Sequence, residues 1–451
     1  MADSNRSSVF LRSFRKQFPV AVRGEGVYLF DRDGKQYLDF SGAAAVNFIG
    51  HGVAAIPAAM AHQAADLEFV HSSQFTTQVA EEYARELLDF AGKNFEGGCV
   101  YFTCGGSEST ETALKLARQY QVEVGQPQRY QVISRQQSYH GSTLGALAVS
   151  GNRRRREIYL PMVREFAHIG IPNCYRCDYD CSIGCNDCGD KYARELERAV
   201  AASNGAAAGF ILEPVSGATL GAAVPSPLYM RRVGEICSEH GVLLIADEVM
   251  TGMGRTGRNF AVDHWNMTPD ILIAAKGLSS GYAPLGAVIA SKKVVDAIAN
   301  GSGAFLHGFT YNAHPISLAA GRAVLRELRT RNLVAAADSS RAETAGGQMR
   351  VQLSQLMDMK SVGDVRGLGL LWGVEFVADK PSKKSFDPAS NFAGRVGDAA
   401  KKRGLLVYPM QGCVDGLAGD HLLIAPPAVI TSEQIQWAVS TLREAIAEAA
   451  V

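Results

Sequence analysis

The chain has 451 residues, 47% of them hydrophobic and 20% charged, which is ample for a large buried core and more than one core usually holds. Lysine plus arginine and aspartate plus glutamate both number 45, so the net charge is zero and bulk charge gives no reason to expect a nucleic-acid partner. The opening residues lack the apolar run of a secretory leader, and the uncharged stretch 40–65 is interrupted by Gly, Pro, His, Asn and Gln. We therefore expect no membrane span, a cytoplasmic protein and nine reduced cysteines.

Residues 26–40 (GVYLFDRDGKQYLDF) predict two short strands about the turn Asp33-Gly34. Apolar positions over 78–92 have helical spacing. CVYFTC (99–104) then precedes a helix over Glu108–Gln121. YQVISR (130–135), AGFILEP (208–214), GVLLIADEV (241–249), DILIAAK (270–276) and LGAVIAS (285–291) follow. Continuous apolar strands alternating with helices predict an α/β fold with a mostly parallel sheet covered on both faces. Farther on, strands at 370–377 and 404–408 and a helix from near Ser432 predict a smaller α/β domain. The expected division is 1–70 as an N-terminal segment joining the small domain, 71–325 as the large domain and 326–451 as the small one.

In open α/β sheets, ligands gather at the carboxyl ends of the strands. Lys276, Asp247 and Glu213 each end a predicted strand, and Gly105-Gly106-Ser107 follow another and open a helix. Pyridoxal phosphate needs such a set: a lysine for its imine, a carboxylate at its ring nitrogen, a phosphate cradle and a flat neighbour. An amine delivered by an apolar strand loses basicity and becomes a usable nucleophile, with Gly277 expected to turn the backbone away; the alternative is a lysine reaching solvent. Asp247 needs a partner, either a pyridinium N–H or a buried ion pair to a helix. Val249 points to the same side as Asp247 and could pack on a ring, while Glu248 faces the other way. Gly106 and Ser107 offer N–H groups at a helix start, though Ser107 or Ser109 could instead be an ordinary cap. Tyr139 is either a stacking partner or a half-buried core aromatic, and His140 either a hydrogen-bonding neighbour or a structural histidine.

Taken together, GGSEST (105–110), SYHGSTLGAL (138–147), EPV (213–215), GVLLIADEVMTGMGRTG (241–257), AAKGLSSGYAPLGA (274–287), HGFTYNAHP (307–315) and VRGLGLLWGVEF (365–376) resemble the class III (ω-type) pyridoxal-phosphate aminotransferases of fold type I. The resemblance runs in order from about Phe30 to the C-terminus. It implies that Lys276 is the Schiff-base lysine and proton shuttle and that Asp247 pairs the ring nitrogen. Gly106 and Ser107 would bind the phosphate, Tyr139 would stack on the ring, and Glu213 would orient polar groups near it. Thr310 would reach the phosphate of a neighbouring subunit's cofactor, which implies a homodimer with shared sites. The implied activity is ping-pong transfer of an amino group from an amine donor to an oxo acid. Racemases, aminomutases and phospho-lyases share the same lysine and aspartate, and a non-catalytic protein on the same fold is the rival from another class.

Two stretches depart from the common pattern. Many α-amino-acid members have an arginine just before the C-terminal APP motif; here GDHLLIAPPAV places Leu423 there. A simple amine or a β- or ω-amino acid donor fits this better, with pyruvate favoured over 2-oxoglutarate as acceptor, and Arg366 is either a carboxylate holder or a structural ion pair. CYRCDYDCSIGCNDC (174–188) holds five cysteines, and Cys174, Cys177, Cys185 and Cys188 have the paired spacing of a structural zinc site, with iron–sulfur ligation conceivable; the alternative is a loop of reduced thiols or an adventitious disulfide. The run Arg153–Arg156 is either a solvated face or an attractor for a phosphorylated or CoA-linked substrate.

Overall fold

The computed structural model describes residues 7–179 and 186–451. Near its start β1 (Ala21–Glu25), β2 (Tyr28–Asp31) and β3 (Gln36–Asp39) form an antiparallel meander. The expected turn joins β2 to β3: the Asp31 carboxylate accepts from the Asp33 and Lys35 N–H groups, and Gly34 takes a positive φ.

The central sheet contains β4 (Cys99–Thr103), β5 (Gln131–Arg135), β6 (His168–Ile169), β7 (Ala207–Leu212), β8 (Leu243–Asp247), β9 (Ile271–Ala274) and β10 (Gly286–Ala290). Their order is β4-β10-β9-β8-β7-β5-β6. All run in one direction except β10, which is antiparallel to both neighbours. β10 reads like the others in sequence because it is equally buried on both faces, and an apolar run does not encode strand direction.

Side-chain alternation assigns the two faces. Along β8, Leu244 and Ala246 join Tyr229, Val233 and Ile236 of the helix Pro227–Glu239. Leu243 and Ile245 join Ala113, Leu116 and Ala117 of the helix Gly106–Glu123. Asp247 continues the odd-numbered series, so the strand aims its carboxylate to the side where the second helix begins.

A third sheet holds β11 (Val362–Leu368), β12 (Leu371–Phe376), β14 (Tyr408–Gln411) and β15 (Asp420–Ile424), in the order β11-β12-β15-β14. The stretch expected as one strand at 404–408 serves two sheets instead. Its first part, β13 (Leu405–Leu406), pairs in parallel with β3, setting Leu405 opposite Leu38, before the chain turns into β14. The helix Ser432–Ala449, opened by a Thr431/Gln434 capping box, packs below.

Between β3 and the cavity described below, residues 42–45 make a left-handed turn, with Ala43 and Ala44 at φ 52° and 62°. Such backbone costs roughly 1–2 kcal/mol per non-glycine residue, so its surroundings must enforce it. The Asp39 carboxylate accepts from Ala43 N–H, and Ala425 O approaches so closely that a methyl on Gly42 would lie 2.2 Å from it. Ala43 is exposed, so glycine would lose little buried surface there. Ala43→Gly is therefore expected to stabilise the protein by about 1 kcal/mol, read as a raised denaturant midpoint; an ordinary right-handed helix there would be weakened by a similar amount.

Candidate active site

β9 ends at Ala274, and two residues later Lys276 adopts φ 46°. The turn expected at Gly277 is thus made by the lysine itself. Gly277 matters for packing, since a methyl there would sit 3.0 Å from Met253 Cβ. Leu278 N–H and Ser280 N–H close the turn onto the carbonyls of Ala275 and Lys276. Lys276 lines a cavity of about 290 Å3, and among the described residues its Nζ has no hydrogen-bond or ion-pair partner. Burial depresses its basicity from 10.5 to about 8, while Asp247 and Glu213 work in the opposite direction. The solvent-facing alternative is excluded by this position.

Asp247, at the end of β8, lines the same cavity. Its protein partner is a histidine rather than a helix. Oδ2 lies 2.7 Å from His140 Nδ1, and Oδ1 accepts from Val249 N–H at 3.1 Å. His140 is locked in place, its N–H donating to Ser150 Oγ and its carbonyl accepting from Thr110 Oγ1. Its role as a hydrogen-bonding neighbour, left open by the sequence, is settled by this contact. Glu248 faces away as expected, accepting from Thr251 and from Val262 N–H, and burial raises it to about 7.

The helix Gly106–Glu123 begins at the opposite side of the cavity. No side chain caps it: Ser109 Oγ donates back to Gly105 O, and Ser107 Oγ accepts from Ser142 N–H. The first N–H groups of this helix therefore lack intrahelical partners, and the positive end of its dipole points at the lining. Gly141 closes the other wall at φ 138°; any side chain there would press within 2.7 Å of Ser107 Oγ.

Tyr139 is half-buried in the wall, its hydroxyl 2.8 Å from Ser142 Oγ. Glu213 sits beneath it, accepting from Tyr139 N–H at 3.3 Å and Gly217 N–H at 2.9 Å, with its acidity weakened by burial. Val249 completes the set. One cavity thus gathers Gly106, Ser107, Tyr139, Glu213, Asp247, Val249 and Lys276.

Other expected residues lie elsewhere. Thr310 is exposed in a separate depression with His71, Tyr101 and Asn312. Asn47 and Phe48 pack around Arg255, whose guanidinium lies 4.8 Å above the Phe48 ring and bonds Asn47 O. Val46, at the end of the left-handed turn, lines the cavity wall; no sequence pattern signals such a turn in an alanine run. Trp372 is buried and bonds Gly369 O, and Tyr408 packs near Leu423, away from the lining. Arg366 is the structural ion pair, 2.7 Å from both Asp364 and Glu375. Leu423 lies in an apolar cluster with Ala45, Val215, Met250 and Leu371. Of the cysteines expected to hold zinc, Cys185 lies outside the described residues. Cys177 and Cys188 have their sulfurs 3.1 Å apart, but among the described residues no three His, Cys, Asp or Glu side chains gather as a metal site requires.

The class-III aminotransferase family model matches residues 12–446. The chain belongs to this family. It is 38% identical over 432 residues to YodT of Bacillus subtilis, an uncharacterised aminotransferase, covering 95% of each chain. A crystallised amine transaminase from an uncultivated Pseudomonas species, in its pyridoxal-phosphate-bound form, superposes with a TM-score of 0.90 at 34% identity, over 98% of this chain and 97% of that one. A transaminase solved with L-alanine gives 0.87 at 31% identity, over 95% and 98%. The fold is accordingly fold type I, as the motifs implied, and the family implies pyridoxal phosphate as cofactor.

The geometry makes a prediction about the cofactor-free protein. Modification of Lys276 by an acylating reagent, followed by mass spectrometry, should rise with pH about a midpoint near 8. The Asp247 anion favours the protonated amine, so Asp247→Asn should move that midpoint lower, by on the order of one unit.

Proposed function

We propose that this aminotransferase moves an amino group from a simple amine or a β- or ω-amino acid to an oxo acid, preferring pyruvate to 2-oxoglutarate, in a ping-pong cycle. The observation that carries the reading is Lys276 Nζ: set in the cavity, without a hydrogen-bond or ion-pair partner among the described residues, and weakly basic, with Asp247 on one side and an uncapped helix start on the other. This arrangement suits pyridoxal phosphate, which when bound supplies an aldehyde that condenses with amines and a ring that draws electrons from the adjoining carbon.

The chain's own residues would act as follows. Gly106 and Ser107 hold the phosphate with N–H groups and the helix dipole. Tyr139 and Val249 close on the ring. Asp247, oriented by His140, keeps the ring nitrogen protonated, and Glu213 orients the polar groups beside it. Lys276 Nζ would hold the cofactor's aldehyde, and as a free amine it would accept the proton from the substrate carbon bearing nitrogen. Its depressed basicity leaves a useful fraction of neutral amine near neutral pH. Thr310 of a second copy completes the phosphate site, so the working unit is a homodimer, and we place it in the cytoplasm. No helix among the described residues is long and apolar enough to cross a membrane. The large domain comprises residues 71–325, and the small domain residues 326–451 together with the first 70.

The donor class rests on Leu423. With an apolar cluster where other members have a guanidinium for the substrate α-carboxylate, an α-amino-acid donor has no cation to meet it there, which favours a simple amine or a β- or ω-amino acid, and we take pyruvate as the acceptor. The neighbour solved with L-alanine, the amino partner of pyruvate, agrees with this choice.

A donor amine given alone should release one equivalent of ketone or aldehyde per chain and then stop, and adding pyruvate should restart turnover. Initial-rate plots should give parallel lines. Lys276→Ala should lower kcat by about 1000-fold or more with the cofactor still bound. Release of product without an acceptor beyond one equivalent, or a donor-alone reaction that leaves the cofactor unchanged, would contradict transamination.

A further inference from the structure

An oxo acid needs a cation for its carboxylate, and most arginines near the site are already occupied. Arg366 is held by two carboxylates, and Arg255 bonds the carbonyls of Asn47, Ala425 and Pro426. Arg135 is sealed under Glu213 and bonded to its carbonyl.

Arg155 differs. Asn152 caps the short helix Arg153–Arg156, accepting from Arg155 N–H through Oδ1 and anchoring itself on Gln137 through Nδ2. The helix lays the Arg155 guanidinium 4.3 Å from the centre of the Tyr139 ring, and Tyr139 is a wall of the cavity. Arg155 is half-buried, and among the described residues no carboxylate lies within ion-pair distance of it. Stacking on an aromatic face orders a guanidinium without using its N–H donors, so the fork remains open to a planar anion. Of its neighbours in the run, Arg153 pairs with Glu157, Arg154 bonds Gln411, and Arg156 interacts electrostatically with Glu165. Arg155 also borders a second depression of about 720 Å3, lined by Arg12, Lys16 and Arg154 and by no carboxylate. Although Lys16 pairs with Asp398, the lining itself is basic and would favour an anion approaching by that side. The Arg155 charge is also felt at Lys276, where it opposes protonation.

Resting on the aminotransferase reading above, we propose that Arg155 anchors the carboxylate of the oxo-acid acceptor and thereby sets acceptor specificity. The run read from sequence as a solvated face or an attractor for phosphorylated substrates would then have one working member, directed at a carboxylate.

The test compares pyruvate with propanal, an acceptor of similar size without the charge, in the cofactor-loaded wild type, Arg155→Gln and Arg153→Ala. Arg155→Gln keeps a polar side chain of moderate length, and a preserved melting temperature confirms its fold. The kcat/KM ratio of pyruvate to propanal should fall by about tenfold or more in Arg155→Gln, mainly through KM for pyruvate, and stay at the wild-type value in Arg153→Ala. Propionate, which binds without reacting, should show a similar loss of affinity by calorimetry, a readout independent of turnover. An unchanged ratio in Arg155→Gln, or an equal fall in both variants, overturns the assignment while leaving the aminotransferase reading intact. A wild type that transfers no amino group from any donor overturns both.

Discussion

The site is organised around the burial of one amine. Lys276 is carried from the end of an apolar strand into a cavity where, among the described residues, no group bonds its Nζ, so its proton is held less tightly than in water. Asp247 and Glu213 offset part of that desolvation without touching Nζ. A strand ending one residue later, or a carboxylate in direct contact with the amine, would leave an ordinary buried ion pair. The left-handed backbone at Lys276 itself, at φ 46°, shows that the chain accepts local strain to put the side chain there.

The rest of the molecule holds that position from several directions. The sheet presents the ends of β7, β8 and β9 side by side, which brings Glu213, Asp247 and Lys276 into one crevice. Ser280, on the lysine turn, accepts from Phe48 and Ile49 N–H and so ties that turn to the N-terminal segment. Arg255 bonds carbonyls from Asn47 and from the Ala425-Pro426 turn, joining parts of the chain far apart in sequence. A buried guanidinium is costly unless its donors are satisfied; here the backbone satisfies several of them, and burial lowers it to about 9. Segments that contribute no residue to the candidate site therefore still fix its walls.

Much of this was legible in the sequence, and the limits have physical causes. Apolar runs of strand length located nearly every strand of the central sheet, because those strands are buried on both faces. The same property hid the reversed direction of β10. Strand ends marked Asp247, Glu213 and Lys276, since a charged residue closing an apolar run must face a ligand or a partner. The His140–Asp247 contact spans 107 positions, and no local pattern encodes it. The left-handed turn at 42–45 is invisible for a different reason: alanine favours right-handed helix, and tertiary contacts from Asp39 and Ala425 override that preference. Arg155 appeared only as one of four equal charges; its stacking on Tyr139 distinguishes it, and that needs coordinates.

The central claim is that position 276 carries the cofactor covalently. Reduction of the purified yellow protein with borohydride, followed by digestion and mass spectrometry, tests it most directly. The account predicts a phosphopyridoxyl mass on the peptide containing Lys276 and on no other lysine. A label on a different residue, or none from protein that retains bound pyridoxal phosphate, would contradict it.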